Sequence, residues 1–255
     1  MAYRPRIGLT MRLELETRRF YLGRDYSEAV VASGGSPVHI PLIPDRDFIQ
    51  SVVNGLDGIL LPGSDTDVDP VKYGEEPHAK LKKVIPEKDE TDAVVLEVAE
   101  ELNLPVFAIC YGMQALNVSR GGTLVQDINA QVDDAVRHEQ GMPLAPATHG
   151  LRVSGSGLLA EIIGDDLKWR VNSHHHQAVA KVGRDLEAIA WASDGVIEAI
   201  QDPRPERFVL GVQWHPELSW QTDDLSRELF EMFVSRCGER VSETEILTDE
   251  VALVG

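Results

Sequence analysis

The sequence predicts an α/β fold in which helices flank a mostly parallel sheet and antiparallel strands extend that sheet in the C-terminal half. Along the first half of the chain, short β-branched runs alternate with helical stretches, which is the pattern of a parallel sheet covered on both faces. After Gly121 and Gly122, strand-like runs follow one another with few helices between them, which favours antiparallel pairing. A chain of 255 residues, 43% of them hydrophobic, can bury one large core.

Four strand-helix units account for the first half. Buried apolar runs predict strands at 6–10, 36–42, 58–63 and 105–109. Helical spacing of apolar residues predicts helices at 24–33, 45–53 and 87–102, and a fourth directly after Cys110. The first helix is expected to end at Gly34 and Gly35, because glycine readily adopts the backbone conformation that terminates a helix.

The second half is expected to hold six strand-like runs and one closing helix. The runs are TLVQDI (123–128), LRVS (151–154), KWRVNS (168–173), LEAIAWAS (186–193), VIEAIQD (196–202) and FVLGVQWH (208–215). The closing helix is expected from about 222 to 237. We expect residues 1–238 to form a single domain, and the acidic residues 239–255, which lack strong periodicity, to form a tail.

A long polar segment that contains prolines spans residues 63–90. Loops of this length in a compact domain are often functional, so the segment is a candidate border of an active site. Acidic residues within it have the spacing of a calcium-binding loop: Asp65, Asp67, Asp69 and Glu76. Pro70 stands where such a loop requires glycine, and a strand rather than a helix precedes it, so calcium binding is not favoured.

Charge and composition limit the partners. The formal net charge is -18, so the electrostatic field of the chain repels nucleic-acid phosphates and anionic lipid headgroups. The charged N-terminus lacks a signal-peptide core or a membrane-spanning run, and two cysteines cannot form a disulfide framework. We therefore expect a cytoplasmic protein with neither nucleic acid nor membrane as a partner. The sequence shows no heptad repeat or apolar surface stripe from which an oligomeric state could be predicted. Both a monomer and a homo-oligomer are compatible with it.

Cys110 stands between a predicted strand and a predicted helix. It follows an apolar run directly and precedes Gly112, with Met113 and Leu116 at helical spacing. A nucleophile on such a sharp turn lies at the carboxyl end of the sheet, where the positive end of the helix dipole stabilises a thiolate. A small buried residue at a strand end is the alternative, since free cysteine is among the most buried residue types. This context alone leaves both interpretations open.

The motif GVQWHPE (211–217) supplies the partners that a nucleophilic cysteine needs. Pro216 is expected to hold the chain extended, so that His215 and Glu217 project from the same side. Glu217 would then orient the His215 ring through one nitrogen and leave the other to exchange a proton with Cys110. A surface turn would also explain the motif by itself. Together with the cysteine, it completes a nucleophile, a base and an orienting carboxylate.

These motifs resemble a known superfamily. CYGMQALN (110–117) and the downstream GVQWHPE are similar to the class I glutamine amidotransferases, whose cysteine, histidine and glutamate triad lies on a flavodoxin-like sheet. Further motifs, in order, resemble the gamma-glutamyl-gamma-aminobutyrate hydrolases, the C26 peptidase-like branch: ILLPGSDTDVDP (59–70), GGTLVQDI (121–128), VNSHHHQAV (171–179) and ASDGVIEAI (192–200). The resemblance covers roughly residues 5 to 237. It implies that Cys110 is the nucleophile, His215 the general base and acid, and Glu217 the orienting carboxylate.

Further site residues follow from position and from the resemblance. The amide of Tyr111, at the start of the helix, is a candidate oxyanion donor. The resemblance implicates the turn at Gly63 and Ser64 as the second. Gln114 shares a helix face with Cys110, and in the superfamily this residue contacts the glutamyl group. The resemblance also implies that a group in the NSHHHQ motif borders the substrate: His175, His176 and Gln177.

A metal or cofactor is not predicted. Adjacent histidines on an extended segment alternate sides, so His174 and His176 could share a face that His175 cannot easily join. Zinc would still need a third protein ligand. The chain also has no glycine-rich phosphate-binding fingerprint.

The leading functional interpretation is a stand-alone hydrolase of gamma-glutamyl amides that acts through a glutamyl thioester. Its small-molecule substrate would release glutamate and gamma-aminobutyrate, a polyamine or another amine. The first alternative is a glutaminase subunit that delivers ammonia to a separate synthetase. The triad does not discriminate between these two, but the polar 63–90 segment and the NSHHHQ motif favour the hydrolase. The second alternative is a non-catalytic binding module that keeps the fold.

Overall fold

A ten-stranded mixed sheet forms the centre of the protein. The structure is a computed structural model that describes residues 3–163 and 169–252. Side chains are described through residue 240. The strands are β1 (Arg6–Thr10), β2 (Arg12–Glu14), β3 (Arg19–Tyr21), β4 (Ser36–Ile40), β5 (Gly58–Leu61), β6 (Val106–Ile109), β7 (Thr123–Val125), β8 (His149–Gly150), β9 (Arg152–Val153), β10 (Arg170–Val171), β11 (Ala178–Lys181), β12 (Glu187–Trp191), β13 (Ile197–Gln201) and β14 (Val209–Val212). The helices are α1 (Arg24–Ala32), α2 (Arg46–Val53), α3 (Pro86–Glu101), α4 (Tyr111–Ser119), α5 (Ile128–Gln131), α6 (Leu158–Ile163) and α7 (Asp224–Ala252). Short 3-10 turns lie at Pro70–Tyr73 and Pro216–Leu218.

The main sheet changes from parallel to antiparallel pairing at one strand. Its order is β4, β1, β5, β6, β14, β13, β11, β7, and β12 and β9 join it beside β13. All neighbours from β4 to β14 are parallel. All pairs from β14 onward are antiparallel. This arrangement confirms the predicted fold class, a mostly parallel sheet with an antiparallel extension.

Each central strand contributes to two apolar layers, because successive side chains of a strand point to opposite faces. Phe107 and Ile109 of β6 pack in one layer with helices α1 and α7. Val106 and Ala108 pack in the other layer with α2, α3 and α4. Since both faces are covered, the central strands are continuous apolar runs, and these were the clearest strand signals in the sequence.

Several short elements differ from the sequence prediction, among them helix α6 and strand β8, which were not predicted. The hairpin of β2 and β3 was not predicted, because its three-residue strands carry mostly exposed side chains and show no apolar alternation. The run 123–128 is a strand only as far as Val125. Asp127 accepts a hydrogen bond from the amide of Ala130 at 3.0 Å and so caps helix α5, which ends the extended segment.

Helix α7 is longer than predicted. It continues from Asp224 to Ala252 through Gly238, the glycine at which the predicted helix ends. Gly238 does not have the positive φ that ends a helix, and a glycine inside a helix costs only about 1 kcal/mol relative to alanine. Residues 253–255 of the predicted tail lie outside the described residues, and the division between domain and tail at 238 stays a prediction. None of the described helices is both long and apolar enough to cross a bilayer.

The close approach of helix α4 to β5 depends on a glycine. A Cβ atom on Gly112 would collide with the carbonyl group of Leu61, which is backbone and cannot turn aside. The absent side chain lets the first turn of α4 lie directly against the sheet. Gly112 therefore helps to fix the position of the residue that precedes the helix, Cys110.

We expect Gly112→Ala to lower the free energy of unfolding by about 1–3 kcal/mol, because extra atoms in a well-packed interior force shifts of that cost. Urea denaturation followed by circular dichroism measures the change. Gly55→Ala is the matched control, since a Cβ there would lie 3.6 Å from its nearest neighbour, the oxygen of Val52. The control should change stability by less than about 0.5 kcal/mol. Equal effects of the two substitutions would contradict the packing argument.

Candidate active site

Cys110 is held in an uncommon backbone conformation at the carboxyl edge of the sheet. Its φ is 53° and its ψ is -109°, and residues other than glycine rarely adopt a positive φ. The amide of Cys110 donates to the oxygen of Val212 at 2.7 Å, and its carbonyl accepts from the amide of Gln114 at 3.1 Å. These two hydrogen bonds tie the turn both to strand β14 and to helix α4, so the thiol is fixed at the helix start.

His215 and Glu217 follow β14, which lies beside β6. Nδ1 of His215 is 2.6 Å from Oε1 of Glu217. The backbone of His215 is clamped on both sides by Asn172, which accepts from the amide at 2.8 Å and donates to the carbonyl at 2.8 Å. The expected extended backbone is wrong, since Pro216 begins a 3-10 turn. Proline suits the first position of such a turn, and the turn still brings the two side chains together.

The imidazole of His215 lies against both Cys110 and Gly63. A Cβ on Gly63 would come within 2.7 Å of Cε1 of His215 and 3.4 Å of the Cβ of Cys110, so any side chain there would intrude. Burial lowers the pKa of His215, but the charges of Glu217 and Cys110 and hydrogen bonds to both raise it to about 10. The surroundings therefore favour an imidazolium next to the sulfur, the arrangement that stabilises a thiolate.

The three candidate oxyanion donors differ in what they contact. The amide of Gly63 donates to the hydroxyl of Tyr26 at 3.0 Å, and its carbonyl accepts from Nε of Arg12 at 2.7 Å. Both the amide and the carbonyl group of Gly63 thus have hydrogen-bond partners within the protein. Helix α4 begins at Tyr111, so the amide of that residue has no acceptor within the helix. For Ser64, too, no acceptor of its amide is found in the described part of the chain.

A cavity of about 220 Å³ opens beside Cys110. Residues 174–177 form part of its lining. The other lining residues include Ser64, Thr66, Lys82, Cys110, Gln114 and Glu139. The polar 63–90 segment therefore borders the cavity, as the sequence predicts. Tyr111 also borders it, although its hydroxyl donates to Asp89 on helix α3.

Two glutamines of the candidate set are held in place by the protein. Nε2 of Gln114 lies 3.2 Å from the oxygen of Gln177 and 3.2 Å from Oε1 of Gln213. Nε2 of Gln177 donates to the oxygen of Gln126 at 3.1 Å. Both side chains are buried, and both line the cavity. The structure thus brings them together with Cys110 on one side of the cavity.

His176 lies between two carboxylates. Its Nε2 is 2.7 Å from Oδ1 of Asp67, and its Nδ1 is 3.3 Å from Oδ2 of Asp127. Burial lowers the pKa of this imidazole, but hydrogen bonds to both carboxylates and the charge of Asp67 raise it overall. The two carboxylates therefore favour the positively charged form of the His176 ring, which borders the cavity.

The neighbouring histidines have different surroundings. Nε2 of His174 donates to the oxygen of Leu144 at 2.8 Å, and its ring centre is 5.8 Å from that of His215. His175 borders the cavity, but its Nδ1 is bonded to the oxygen of Gln177 at 3.0 Å and its Nε2 faces buried Glu198. Nδ1 of His175 is therefore not left for a substrate. His174 and His176 contact different groups, and neither belongs to the metal-compatible cluster of the described residues.

Four residues of this region were missed by sequence reasoning. Tyr26, Arg12, Asn172 and Asp67 each contact one of the candidate residues. Asn172 lies inside the quoted motif VNSHHHQAV, so that motif carried a signal for it. Tyr26 and Arg12 lie on α1 and β2, and their proximity to Gly63 depends on long-range folding that no local pattern encodes.

Comparisons with known proteins identify the family of this chain. Residues 6–217 match the family model described as peptidase C26. The chain is 35% identical over 216 residues to protein NtpR of Enterococcus hirae, covering 84% of this chain and 88% of that protein. It is 34% identical over 236 residues to gamma-glutamyl-gamma-aminobutyrate hydrolase PuuD of Escherichia coli, covering 89% of this chain and 90% of that protein.

A solved structure shows the same fold. The glutaminase domain of Trypanosoma brucei CTPS with bound acivicin matches with a TM-score of 0.62 at 17% identity. The match covers 92% of this chain and 94% of that one. The flavodoxin-like arrangement expected from the sequence is therefore shared with that glutaminase domain.

Glu217→Gln should lower the pKa of His215, because it removes a negative charge that raises it. The pKa of His215 is about 10 in the folded protein and about 6.5 in the unfolded chain. Protonation of His215 therefore adds to the free energy of unfolding fully below pH 6.5, and this contribution is lost as the pH rises to about 10. We expect the free energy of unfolding to fall less over this pH range in Glu217→Gln than in the wild type. Urea denaturation at several pH values measures both profiles.

The matched control is Glu206→Gln, at an exposed turn position. It should keep the pH profile of the wild type. If Glu217→Gln showed that same profile, the charge of Glu217 would not control the proton affinity of His215.

Proposed function

Because this chain belongs to the peptidase C26 family of class I glutamine amidotransferase-like proteins, we propose that it hydrolyses gamma-glutamyl amide bonds with Cys110 as the nucleophile. The supporting observation is the placement of Cys110 on a strained turn, next to an imidazole that a carboxylate orients and beside a polar cavity. A buried packing residue would need none of these partners.

The first half of the proposed reaction forms a glutamyl thioester. The thiolate of Cys110 attacks the side-chain amide carbon, and a carbon-sulfur bond forms while the carbonyl oxygen becomes negative. The amides of Tyr111 and Ser64 stabilise that oxyanion, with Gly63 shaping the turn. His215 gives its proton to the departing nitrogen, and the carbon-nitrogen bond breaks to release a free amine.

The second half restores the cysteine. His215 takes a proton from water, and the resulting hydroxide attacks the thioester carbon. The carbon-sulfur bond then breaks, so that the sulfur leaves as a thiolate and glutamate departs. Glu217 keeps the ring oriented in both halves, and Asn172 fixes its backbone.

The cavity lining supports a zwitterionic substrate. It carries the carboxylates of Asp67 and Glu139, the ammonium group of Lys82 and the imidazole of His176, whose pKa is raised by its carboxylate partners. A gamma-linked glutamyl group presents an ammonium and a carboxylate on its alpha carbon, and both need charged partners when they leave water. We therefore propose that this end of the substrate lies against the lining, with Gln114 next to the glutamyl chain. The leaving amine would be gamma-aminobutyrate or another amino compound.

Cys110→Ala should abolish turnover of gamma-glutamyl-gamma-aminobutyrate, because no other group is placed to form the thioester. Release of free amine from a panel of gamma-glutamyl amides, with glutamine included, measures the activity. Cys237→Ala is the matched control, since Cys237 lies in the core and should be dispensable for turnover. Activity retained by Cys110→Ala would refute the nucleophile. Activity on glutamine alone, dependent on an added synthetase, would support the glutaminase alternative instead.

Iodoacetamide at pH 7 should modify Cys110 at least about tenfold faster than Cys237, because only Cys110 borders the cavity and pairs with an imidazolium. Burial raises the pKa of the Cys237 thiol well above its usual range. Peptide mass spectrometry measures both rates.

His215→Ala should slow the labelling of Cys110, and His39→Ala, at an exposed position, should leave it unchanged. Equal and slow labelling of both cysteines would contradict an activated thiol. It would favour a non-catalytic binding module.

A further inference from the structure

Four buried side chains, one of them from the 174–177 segment, form a cluster. They are His138, His149, His175 and Glu198, and each is less than a tenth exposed. One nitrogen or oxygen atom from each of them lies within 4.8 Å of those of the other three. The four residues come from four separate segments between positions 138 and 198, so no helix or turn periodicity forces them together. None of them has a part in the proposed hydrolysis.

The protein fixes which nitrogen of two of these rings carries a hydrogen. Nδ1 of His149 lies 3.3 Å from the oxygen of Gly150, and Nδ1 of His175 lies 3.0 Å from the oxygen of Gln177. A carbonyl oxygen can only accept, so both Nδ1 atoms are donors. In the neutral rings, Nε2 then carries a lone pair, and it points into the cluster.

In His138 the two ring nitrogens exchange roles, so that Nδ1 rather than Nε2 faces the cluster. Its Nε2 lies 2.9 Å from Oδ2 of Asp194, a carboxylate that accepts. Its Nδ1 faces Glu198 and the hydroxyl of Ser173 at 3.4 Å. That hydroxyl donates to the carbonyl oxygen of His138 at 2.9 Å, so it supplies no hydrogen to Nδ1. In the neutral ring with its hydrogen on Nε2, the lone pair of Nδ1 therefore faces Glu198, and a metal ion would bind this form.

The distances inside the cluster are longer than those of hydrogen bonds between charged groups. Oε1 of Glu198 is 3.3 Å from Nδ1 of His138, 3.4 Å from Nε2 of His149 and 3.6 Å from Nε2 of His175. Charge-assisted hydrogen bonds measure about 2.7–2.9 Å. Neighbouring ligands of a tetrahedral zinc ion, with bonds of about 2.0–2.1 Å, lie roughly 3.3 Å apart.

Several of these atoms are without a hydrogen-bond partner among the described residues. They include both carboxylate oxygens of Glu198 and the Nε2 atoms of His149 and His175. Lone pairs that converge on a buried carboxylate repel it unless a cation lies between them. Buried polar atoms left unpaired are costly, so their grouping at one point calls for a ligand.

We propose that His138, His149, His175 and Glu198 bind one divalent transition-metal ion, with zinc as the best match. Three imidazole nitrogens and one carboxylate oxygen form a four-coordinate set that suits zinc. The carbonyl and carboxylate groups that accept from the opposite ring nitrogens match the usual outer shell of a histidine-bound metal. All four positions come from buried protein groups, so the ion has a structural role.

The ion would join the segment that borders the cavity to the rest of the sheet. His138 lies in the segment between α5 and β8, His149 begins β8, and Glu198 lies on β13. His175 stands between His174 and His176, which line the cavity. A bound metal would therefore hold the cavity lining in place from behind.

Metal content tests the proposal independently of activity. The full-length protein, free of any histidine tag, is dialysed against zinc chloride, passed through a desalting column and analysed by plasma mass spectrometry. We expect about one zinc per chain in the wild type, in line with one closed four-ligand site. Cobalt(II) in place of zinc should give the visible absorption of a tetrahedral complex.

Two variants locate the ion. Glu198→Gln and His149→Ala should each retain at least about tenfold less zinc than the wild type, because each substitution removes or weakens one of the four direct ligands. His39→Ala, at an exposed position, is the control that should keep the full content. Where a cluster variant fails to fold, thermal unfolding of the wild type decides. A chelator should lower its Tm, and added zinc should restore it.

Two results would overturn the proposal. The first is a wild-type protein with less than about a tenth of an equivalent of zinc and no cobalt spectrum, which would mean that protons rather than a metal hold the cluster together. The second is equal zinc in the wild type and both folded cluster variants, which would place the ion elsewhere. Neither result bears on turnover by Cys110, so failure here is distinguishable from failure of the hydrolase proposal.

Discussion

The parallel pairing of β6 with β14 is the contact on which the candidate active site depends. Ile109 is paired with Val212, so the chain leaves both strands at the same edge of the sheet. One strand continues into Cys110 and the other into the segment that carries His215. Strand β5 pairs with β6 on its other side and brings Gly63 to the same edge. Three distant parts of the sequence thus meet without any dedicated loop structure.

Charged groups are buried at this edge of the sheet, and their burial costs free energy. Moving an imidazolium and a carboxylate out of water is expensive unless each is paired. His215 is placed between Glu217 and Cys110, and its backbone is satisfied by Asn172. The same surroundings that offset the burial of the ring also favour its charged form. Stability and the chemistry of the thiol therefore have a common physical origin at this site.

The sequence predicts the parts of this structure that depend on local patterns. The continuous apolar runs located the central strands, and the turn at Cys110 followed from the adjoining strand and helix signals. Tyr26 and Arg12 could not be found, because their contacts with Gly63 arise only after the chain has folded. The engagement of the Gly63 amide by a tyrosine hydroxyl was equally hidden, since a turn glycine says nothing about what its backbone contacts.

The buried histidine and glutamate cluster also depends on contacts that local sequence patterns do not encode. Spacing within the histidine run predicts a metal, if any, on His174 and His176. The converging ligands instead include His175, together with His138, His149 on β8 and Glu198 on β13. One short segment therefore contributes both to the cavity lining and to the buried cluster, since His176 contacts Asp67 while His175 faces Glu198. Any change that shifts this segment would act on the cavity and on the cluster together.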